Sequence, residues 1–279
     1  MEIVKHISQM KQIVSKIKLK GLSLGFVPTM GYFHEGHLSL MRKAKSECDK
    51  LVVSIFVNPI QFGPKEDYKE YPRDIERDKK LAEEIGVDYL FIPEVNEMYP
   101  EGYKTYVVVE EITEVLCGKF RPSHFKGVAT VVTKLFNIVK PDKAYFGQKD
   151  AQQAIIIKQM VKDLNMDVEI IVCPIIREKD GLAMSSRNIY LSEKERKIAP
   201  MLYQSLLKIK DLYEKGEKRC DFLVKEALKF LEKEPLIKVE YLEIRDSETL
   251  EELKIAKSKA LVAIAAKIGK ARLIDNILL

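Results

Sequence analysis

Pro28-Thr29-Met30-Gly31-Tyr32-Phe33-His34-Glu35-Gly36-His37 decides how the chain is read. It follows an apolar run, Leu22 to Val27, and precedes a helical pattern, Leu38 to Cys48. Its place is therefore the turn from a first strand into a first helix. Gly31 and Gly36 let the backbone turn tightly and come close to a ligand. His34 and His37, three apart, share one face of the first helical turn. Free N–H groups and the positive end of the helix dipole favour an anion there. The pattern predicts a phosphate-handling site. From this stretch alone two other readings stay open. One is a turn that binds nothing; the other is half of a metal site, for which only His6 and His124 remain among the histidines.

At 279 residues the chain has room for one large domain or two modest ones, and 46% apolar content supports a core. No run approaches the length of a membrane span; the most apolar window, Ala260 to Ile268, contains Lys267. Met1 to His6 lacks the apolar core of a signal peptide. Cys48, Cys117, Cys173 and Cys220 are too scattered for a disulfide framework or a zinc ribbon. Free or buried thiols in a reducing cytoplasm are the simplest account. The net charge of +5 is modest, and lysine and glutamate are interspersed. Neither a nucleic acid nor a membrane is an expected partner.

Outward from the turn, Ile3, Ile7, Met10, Ile13, Val14 and Ile17 have the spacing of a helix over 3–17. Leu51 to Val57 reads as a strand buried on both faces, and the alternation of strands and helices predicts a parallel sheet with right-handed crossovers. Asn58 and Gln61 follow that strand, in Asn58-Pro59-Ile60-Gln61-Phe62-Gly63-Pro64. Strand C-terminal ends are where doubly wound sheets bind ligands, so both are placed to offer neutral hydrogen bonds. A helix over 74–85 capped by Asp74, a strand over 89–93 and an extended edge segment over 106–109 come next. In the loop Phe120 to Gly127, Arg121, His124 and Lys126 read either as anion contacts or as ordinary loop charges. A helix over 128–139 follows it. Lys143 to Phe146 is a short strand ending at Gly147-Gln148-Lys149-Asp150-Ala151-Gln152-Gln153, a second strand–Gly–helix unit. After a buried strand over 168–176, Met184-Ser185-Ser186-Arg187-Asn188 lies on an exposed excursion, where two hydroxyls and an arginine can donate to phosphate oxygens. Two helices, over 193–215 and 220–232, and three strands, over 238–245, 260–268 and 272–278, complete the chain. The expected fold is α/β. A Rossmann-like, doubly wound parallel sheet spans 1–175, and a smaller C-terminal α+β domain spans 176–279.

Four segments together carry a resemblance that spans the whole chain. They are residues 28–37; Phe-Val-Asn-Pro-Ile-Gln-Phe-Gly at 56–63; Phe-Gly-Gln-Lys-Asp-Ala-Gln-Gln at 146–153; and Met-Ser-Ser-Arg-Asn at 184–188. They resemble the pantothenate synthetase (pantoate–β-alanine ligase) family of the nucleotidylyltransferase superfamily. The superfamily's His-x-Gly-His-like box corresponds to His34–His37, and its Lys-Met-Ser-Lys-Ser-like loop to Met184–Arg187. That loop lacks the flanking lysines here, so Arg187 and Lys149 would have to supply the charge.

The resemblance implies ATP-dependent condensation of pantoate with β-alanine through a pantoyl adenylate, releasing pyrophosphate and AMP. It implies Mg²⁺ with the nucleotide, its protein ligands unassigned, a homodimer, and a C-terminal domain that closes over ATP. The ATP site implied comprises Met30, Gly31, Tyr32, Phe33, His34, Glu35, Gly36 and His37, then Gly147, Gln148, Lys149 and Asp150, then Ile176, Met184, Ser185, Ser186 and Arg187. His34, His37, Lys149 and Arg187 would act on the reacting groups. Gln61 and Gln153 would hold pantoate, and Gln61 also β-alanine. The chemistry suits these residues. A carboxylate brought against a triphosphate meets repulsion of about 4 kcal/mol per charge pair at ~4 Å and an effective dielectric of ~20. Local cations offset it. Glutamines both donate and accept, which fits a ligand with a carboxylate and two hydroxyls. A nucleotidylyltransferase acting on a phosphate acceptor would want more basic residues beside that acceptor. A nucleic-acid-binding module would want a basic stripe.

Overall fold

A computed structural model of the protein describes residues 1–64 and 66–279. In chain order the first part contains β1 (Glu2–Val4), α1 (Ile7–Leu19), β2 (Leu24–Thr29), α2 (Glu35–Glu47), β3 (Lys50–Ile55), α3 (Ile75–Ile85), β4 (Tyr89–Phe91), α4 (Val95–Met98), α5 (Cys117–Phe120), α6 (His124–Val139), β5 (Lys143–Gly147), α7 (Ala151–Asp163) and β6 (Glu169–Cys173). The strands form one sheet in the order β1-β4-β3-β2-β5-β6. Every pairing in it is parallel. Chain order runs outward from β2 in one direction through β3 and β4, and in the other through β5 and β6. The reversal falls between β2 and β5, which makes this a doubly wound sheet with its switch point there.

Alternation along the strands divides the core. Leu51, Val53 and Leu90 face one layer with Leu40, Met41 and Ala44 of α2 and Ala82 of α3. Val52, Phe26 and Phe91 face the other, with Met10 and Val14 of α1, Leu135 of α6 and Ile157 of α7. Both faces are therefore covered, which explains why these strands read as continuous apolar runs.

The rest of the chain contains α8 (Glu193–Ile198), α9 (Met201–Glu214), α10 (Cys220–Leu231), β7 (Ile237–Arg245), β8 (Leu261–Ile268) and β9 (Ala271–Leu278). These strands form a three-stranded antiparallel sheet. One face, with Val262, Ile264 and Ala266, packs on Leu206 of α9 and Leu223 and Ala227 of α10. The other face, with Tyr241, Leu261, Ala263 and Ala265, joins the core beneath α6 and α7. The α+β character of this part agrees with the sequence reading.

Several expected elements differ. The helix expected over 128–139 already begins at His124, so His124 and Lys126 are helical, and the buried strand expected over 168–176 runs only over Glu169–Cys173, half-exposed at the sheet edge. The helix expected over 3–17 begins only at Ile7, because Glu2–Val4 pair with β4 as an outer strand, Ile3 opposite Leu90. Ile3 has helical spacing from Ile7, but sheet pairing decides its conformation. The helix expected over 193–215 is interrupted at Ala199-Pro200, where proline lacks the N–H that a continuous helix would use. The segment over 106–109 joins neither sheet; the Val107 N–H donates to Thr130 Oγ1 at 3.0 Å instead.

Candidate active site

The turn after β2 sits at the switch point. Gly31 has φ +83°, and a Cβ there would lie 2.9 Å from Ile55 Cγ2. Tyr32 also has positive φ, 52°, a conformation that needs outside support. Asp78 of α3 supplies it: its carboxylate accepts from the N–H of Tyr32 at 2.6 Å and of Phe33 at 2.7 Å. Burial raises the Asp78 pKa despite those two donors. Gly31 N–H donates to Thr29 Oγ1 at 3.1 Å.

The first helical turn then caps itself. His34 Nδ1 accepts from Gly36 N–H at 3.1 Å, and His37 Nδ1 accepts from His34 N–H at 3.3 Å. A backbone N–H can only donate, so both Nδ1 atoms are acceptors and both protons belong on Nε2. Burial, with Lys149 and Arg77 nearby, lowers the His34 pKa to about 4. Burial, His34 and Lys149 push His37 well below the usual histidine value. The rings, with centroids 4.1 Å apart, are neutral at pH 7 and carry two Nε2–H donors. Among the described residues neither Nε2 has a hydrogen-bond partner.

This geometry corrects one expectation. The N–H groups of Gly31, Tyr32, Phe33, His34 and Gly36 are already engaged inside the protein, so they are not the free anion donors expected of this helix start. The Phe33 side chain lies wholly in the core, and Glu35 pairs with Arg42 on its own helix. The imidazoles, not the backbone, are the donors.

The second turn lies beside the first, because β5 pairs with β2, Phe26 opposite Ala144. Lys149 Nζ donates to the carbonyl of Met184 at 2.8 Å. Burial, with Arg187 nearby, lowers the Lys149 pKa. Asn276 of β9 donates to the carbonyls of Gln148 and Lys149 at 2.9 and 3.0 Å, and Gln148 Nε2 donates back to Asn276 Oδ1 at 3.0 Å. Arg177 anchors the neighbouring Asp275 through two contacts of 2.6 and 2.9 Å. Arg187 makes a two-pronged pair with Asp67, 2.8 and 2.9 Å, which keeps its pKa up although burial opposes it. Beside that pair, the Tyr71 and Ser186 hydroxyls are 3.0 Å apart. The Ile176 carbonyl accepts from Met184 N–H at 3.0 Å.

A cavity of about 1100 Å³ lies between the two sheets, and Lys149, Asp150, Gln153, Ser185 and Arg187 line it. Among the described residues the Gln153 amide meets no hydrogen-bond partner. Met30, Gly31 and Tyr32 line a smaller cavity of about 260 Å³. Gln61 bridges the two: its Nε2 donates to Met30 Sδ at 3.1 Å, and its carbonyl accepts from His124, a wall residue of the large cavity. Asn58 spends its amide on Gln61 Oε1 and the Gly127 carbonyl, both at 3.1 Å, and accepts from the Tyr99 hydroxyl at 2.9 Å. It supports Gln61 and is itself buried. Lys126 lies over the Tyr106 ring, 4.2 Å from its centroid, and is no part of either wall.

Sequence reasoning missed Asp67, Asp78, Arg177, Asp275 and Asn276. A signal existed for the last pair: Asp275-Asn276 interrupts an apolar strand, and buried polar residues need partners.

Fold and site together define a doubly wound α/β protein whose switch point gathers N–H donors and a lysine, the arrangement of an anion-handling enzyme. The model of the family described as Pantoate-beta-alanine ligase matches residues 2–278. The chain belongs to that family and is a ligase that forms a carbon–nitrogen bond. It is 60% identical over 277 residues to a pantothenate synthetase of Caldicellulosiruptor bescii, covering 99% of this chain and 98% of that one. A pantothenate synthetase of Acetivibrio thermocellus is 57% identical, with 100% and 99% covered. Among solved structures, the pantothenate synthetase of Thermus thermophilus superposes with a TM-score of 0.95 at 45% identity, covering 100% of this chain and 99% of that one. The pantoate-beta-alanine ligase of Francisella tularensis, complexed with beta-gamma ATP and beta-alanine, gives a TM-score of 0.82 at 37% identity, with 100% and 97% covered.

Proposed function

We propose that the protein condenses pantoate with β-alanine at the expense of ATP, by way of pantoyl adenylate. The observation that carries this reading is that Lys149 stands close enough to act electrostatically on His34 and His37, with their Nε2–H groups free among the described residues, at the β2/β5 switch point, while Gln61 reaches Met30 of the same turn. A pantoate carboxylate oxygen attacks the α-phosphorus of ATP, and the bond to the bridging oxygen breaks as pyrophosphate leaves. Neutral imidazoles donate to the phosphates without adding charge that must be desolvated. Lys149 follows the charge that develops between the α- and β-phosphates. Arg187 supplies a second cation once it leaves Asp67. In the second step the β-alanine amine attacks the acyl carbon and AMP departs. The acyl adenylate is already activated, so holding the reactants together does most of the work.

Gln61 and Gln153 hold pantoate, and Gln61 also receives β-alanine. A glutamine amide serves both carboxylate and hydroxyl. Among the described residues no three His, Cys, Asp or Glu side chains gather as a metal site. The converging groups are N–H donors and cations, which suit phosphate oxygens. Mg²⁺ bound with the nucleotide would neutralise phosphate charge beside these donors.

Residues 176–279 act as the unit that closes over ATP, carrying Met184 to Arg187 with it. The chain works as a homodimer in a reducing cytoplasm. Free, buried cysteines support the compartment. The extended segment over 104–110, outside both sheets and with Tyr106 and Val108 exposed, supports the pairing with a second copy.

The test supplies ATP, Mg²⁺, pantoate and β-alanine and follows pyrophosphate and AMP. Pyrophosphate exchange with pantoate alone is expected, and its absence would sink the adenylate route. AMP release should require β-alanine; indifference to it would favour transfer of AMP to another acceptor.

A further inference from the structure

We propose that His124, aimed by Arg121 and Glu66, is a positioning residue that fixes Gln61 for the carboxylate substrate. The proposal rests on Gln61 as the residue that holds pantoate. Glu66 accepts from Arg121 Nε and Nη2 at 2.8 and 2.7 Å. Arg121 Nη1 lies 3.0 Å from His124 Nε2, and His124 Nδ1 lies 2.9 Å from the Gln61 carbonyl oxygen. A guanidinium can only donate, so Nε2 accepts; a carbonyl can only accept, so Nδ1 carries the proton. Every role in the chain from Glu66 to Gln61 is thereby assigned. Burial and Arg121 lower the His124 pKa to about 3, which keeps the ring neutral, and the two hydrogen bonds fix its tautomer.

Gln61 is held at both ends. His124 holds its main chain, and Asn58 holds its amide oxygen at 3.1 Å. Gly127 lets α6 approach this closely, since a Cβ there would sit 2.6 Å from Gln61 Cα. The one loose group is Nε2, whose partner is the Met30 sulfur, a weak acceptor that a substrate oxygen readily replaces. Glu66, Arg121 and His124 line the large cavity, yet they spend their strongest hydrogen bonds on one another and on Gln61. They therefore act through Gln61. A partly buried ion pair is a poor device for stability alone, and apolar residues would serve that end as well. Asp67, next to Glu66, holds Arg187, so one short segment supports both the carboxylate side and the nucleotide side.

The test compares KM values of the full-length enzyme. His124→Phe keeps a ring and removes the donor; it should raise the pantoate KM about tenfold while the ATP KM stays within about twofold. His124→Asn returns an amide N–H near the Nδ1 position and should bring the pantoate KM back to within about threefold of the native value. A role limited to stability would lower the melting temperature, move both KM values together and show no rescue. That result overturns the proposal. Gln61→Ala separates the two layers. If it leaves the pantoate KM unchanged, the reading of Gln61 fails. If it raises that KM and His124→Phe does not, the positioning role fails. Should His124→Phe not fold, Arg121→Met decides: it should raise the pantoate KM about threefold, and a folded variant with no change refutes the chain of contacts.

Discussion

The turn after β2 and the turn after β5 lie side by side at the switch point, and they are held by different parts of the molecule. Residues 30–37 are supported from within the parallel-sheet domain. Asp78 of α3 takes two N–H groups, and the two histidines cap the helix on which they stand. Residues 147–150 are supported from the antiparallel sheet and the loop leading to it: Asn276 grips the Gln148 and Lys149 carbonyls, and the Met184 carbonyl holds the lysine amine. One turn is held by residues of the parallel-sheet part alone, and the other by contacts from the second sheet and the loop before it. The neutral donors thus stand on the turn supported from within its own part of the fold. Both cations, Lys149 and Arg187, rest on acceptors outside their own turns, the Met184 carbonyl and the Asp67 carboxylate.

The largest effect should come from the cation of the second turn. Lys149→Ala should reduce pantoate-dependent pyrophosphate exchange by at least about a hundredfold. A loss below tenfold would break the division between donors and cations. Next is the internal support of the first turn. Asp78→Ala leaves two N–H groups without their carboxylate and should cost about 3 kcal/mol in urea unfolding. An unchanged midpoint would mean that the turn is not held from α3.

Acid should find the same half. His34 stays neutral in the fold down to about pH 4, whereas in the unfolded chain it protonates below about 6.5. The unfolded state therefore binds more protons in that window, and stability falls as pH drops from 6.5 towards 4. Urea midpoints at pH 7 and pH 5 measure this, and His34→Gln should reduce the difference by the share of one proton. The smallest effect belongs to the inter-domain support. Asn276→Ala should cost about 1 kcal/mol and raise the ATP KM by about threefold to fivefold, with the pantoate KM little changed. A uniform change in both would show that β9 steadies the whole cleft and not the lysine turn alone.

Much of this was legible from local pattern. Continuous apolar runs marked β2 and β3, since strands covered on both faces need apolar residues on both; the run over 168–176 also read as buried, yet β6 lies at the sheet edge with Glu169 exposed and Ile170 to Val172 half-buried. The two glycine turns marked the switch point, and Pro28 to His37 marked the histidines. What stayed hidden was contact across sequence distance. Asp78 lies 46 residues from Tyr32, and Asn276 lies 128 from Gln148. Nothing near either residue announces its partner. The helix start after β2 shows the consequence. Its N–H groups read as free, and the folded chain has already used them.

Sequence alone determined the alternating α/β order, the placing of Gly31, His34 and His37 at a strand-to-helix turn, and the second such turn at Gly147 to Gln153. These follow from backbone sterics and side-chain periodicity, which act over a few residues. Only the tertiary structure decided which imidazole nitrogen carries the proton, that Lys149 and Arg187 rest on Met184 and Asp67, and that His124 reaches Gln61. A polar group's role depends on the acceptor or donor that folding brings within hydrogen-bond reach, and that neighbour is chosen by packing of the whole chain.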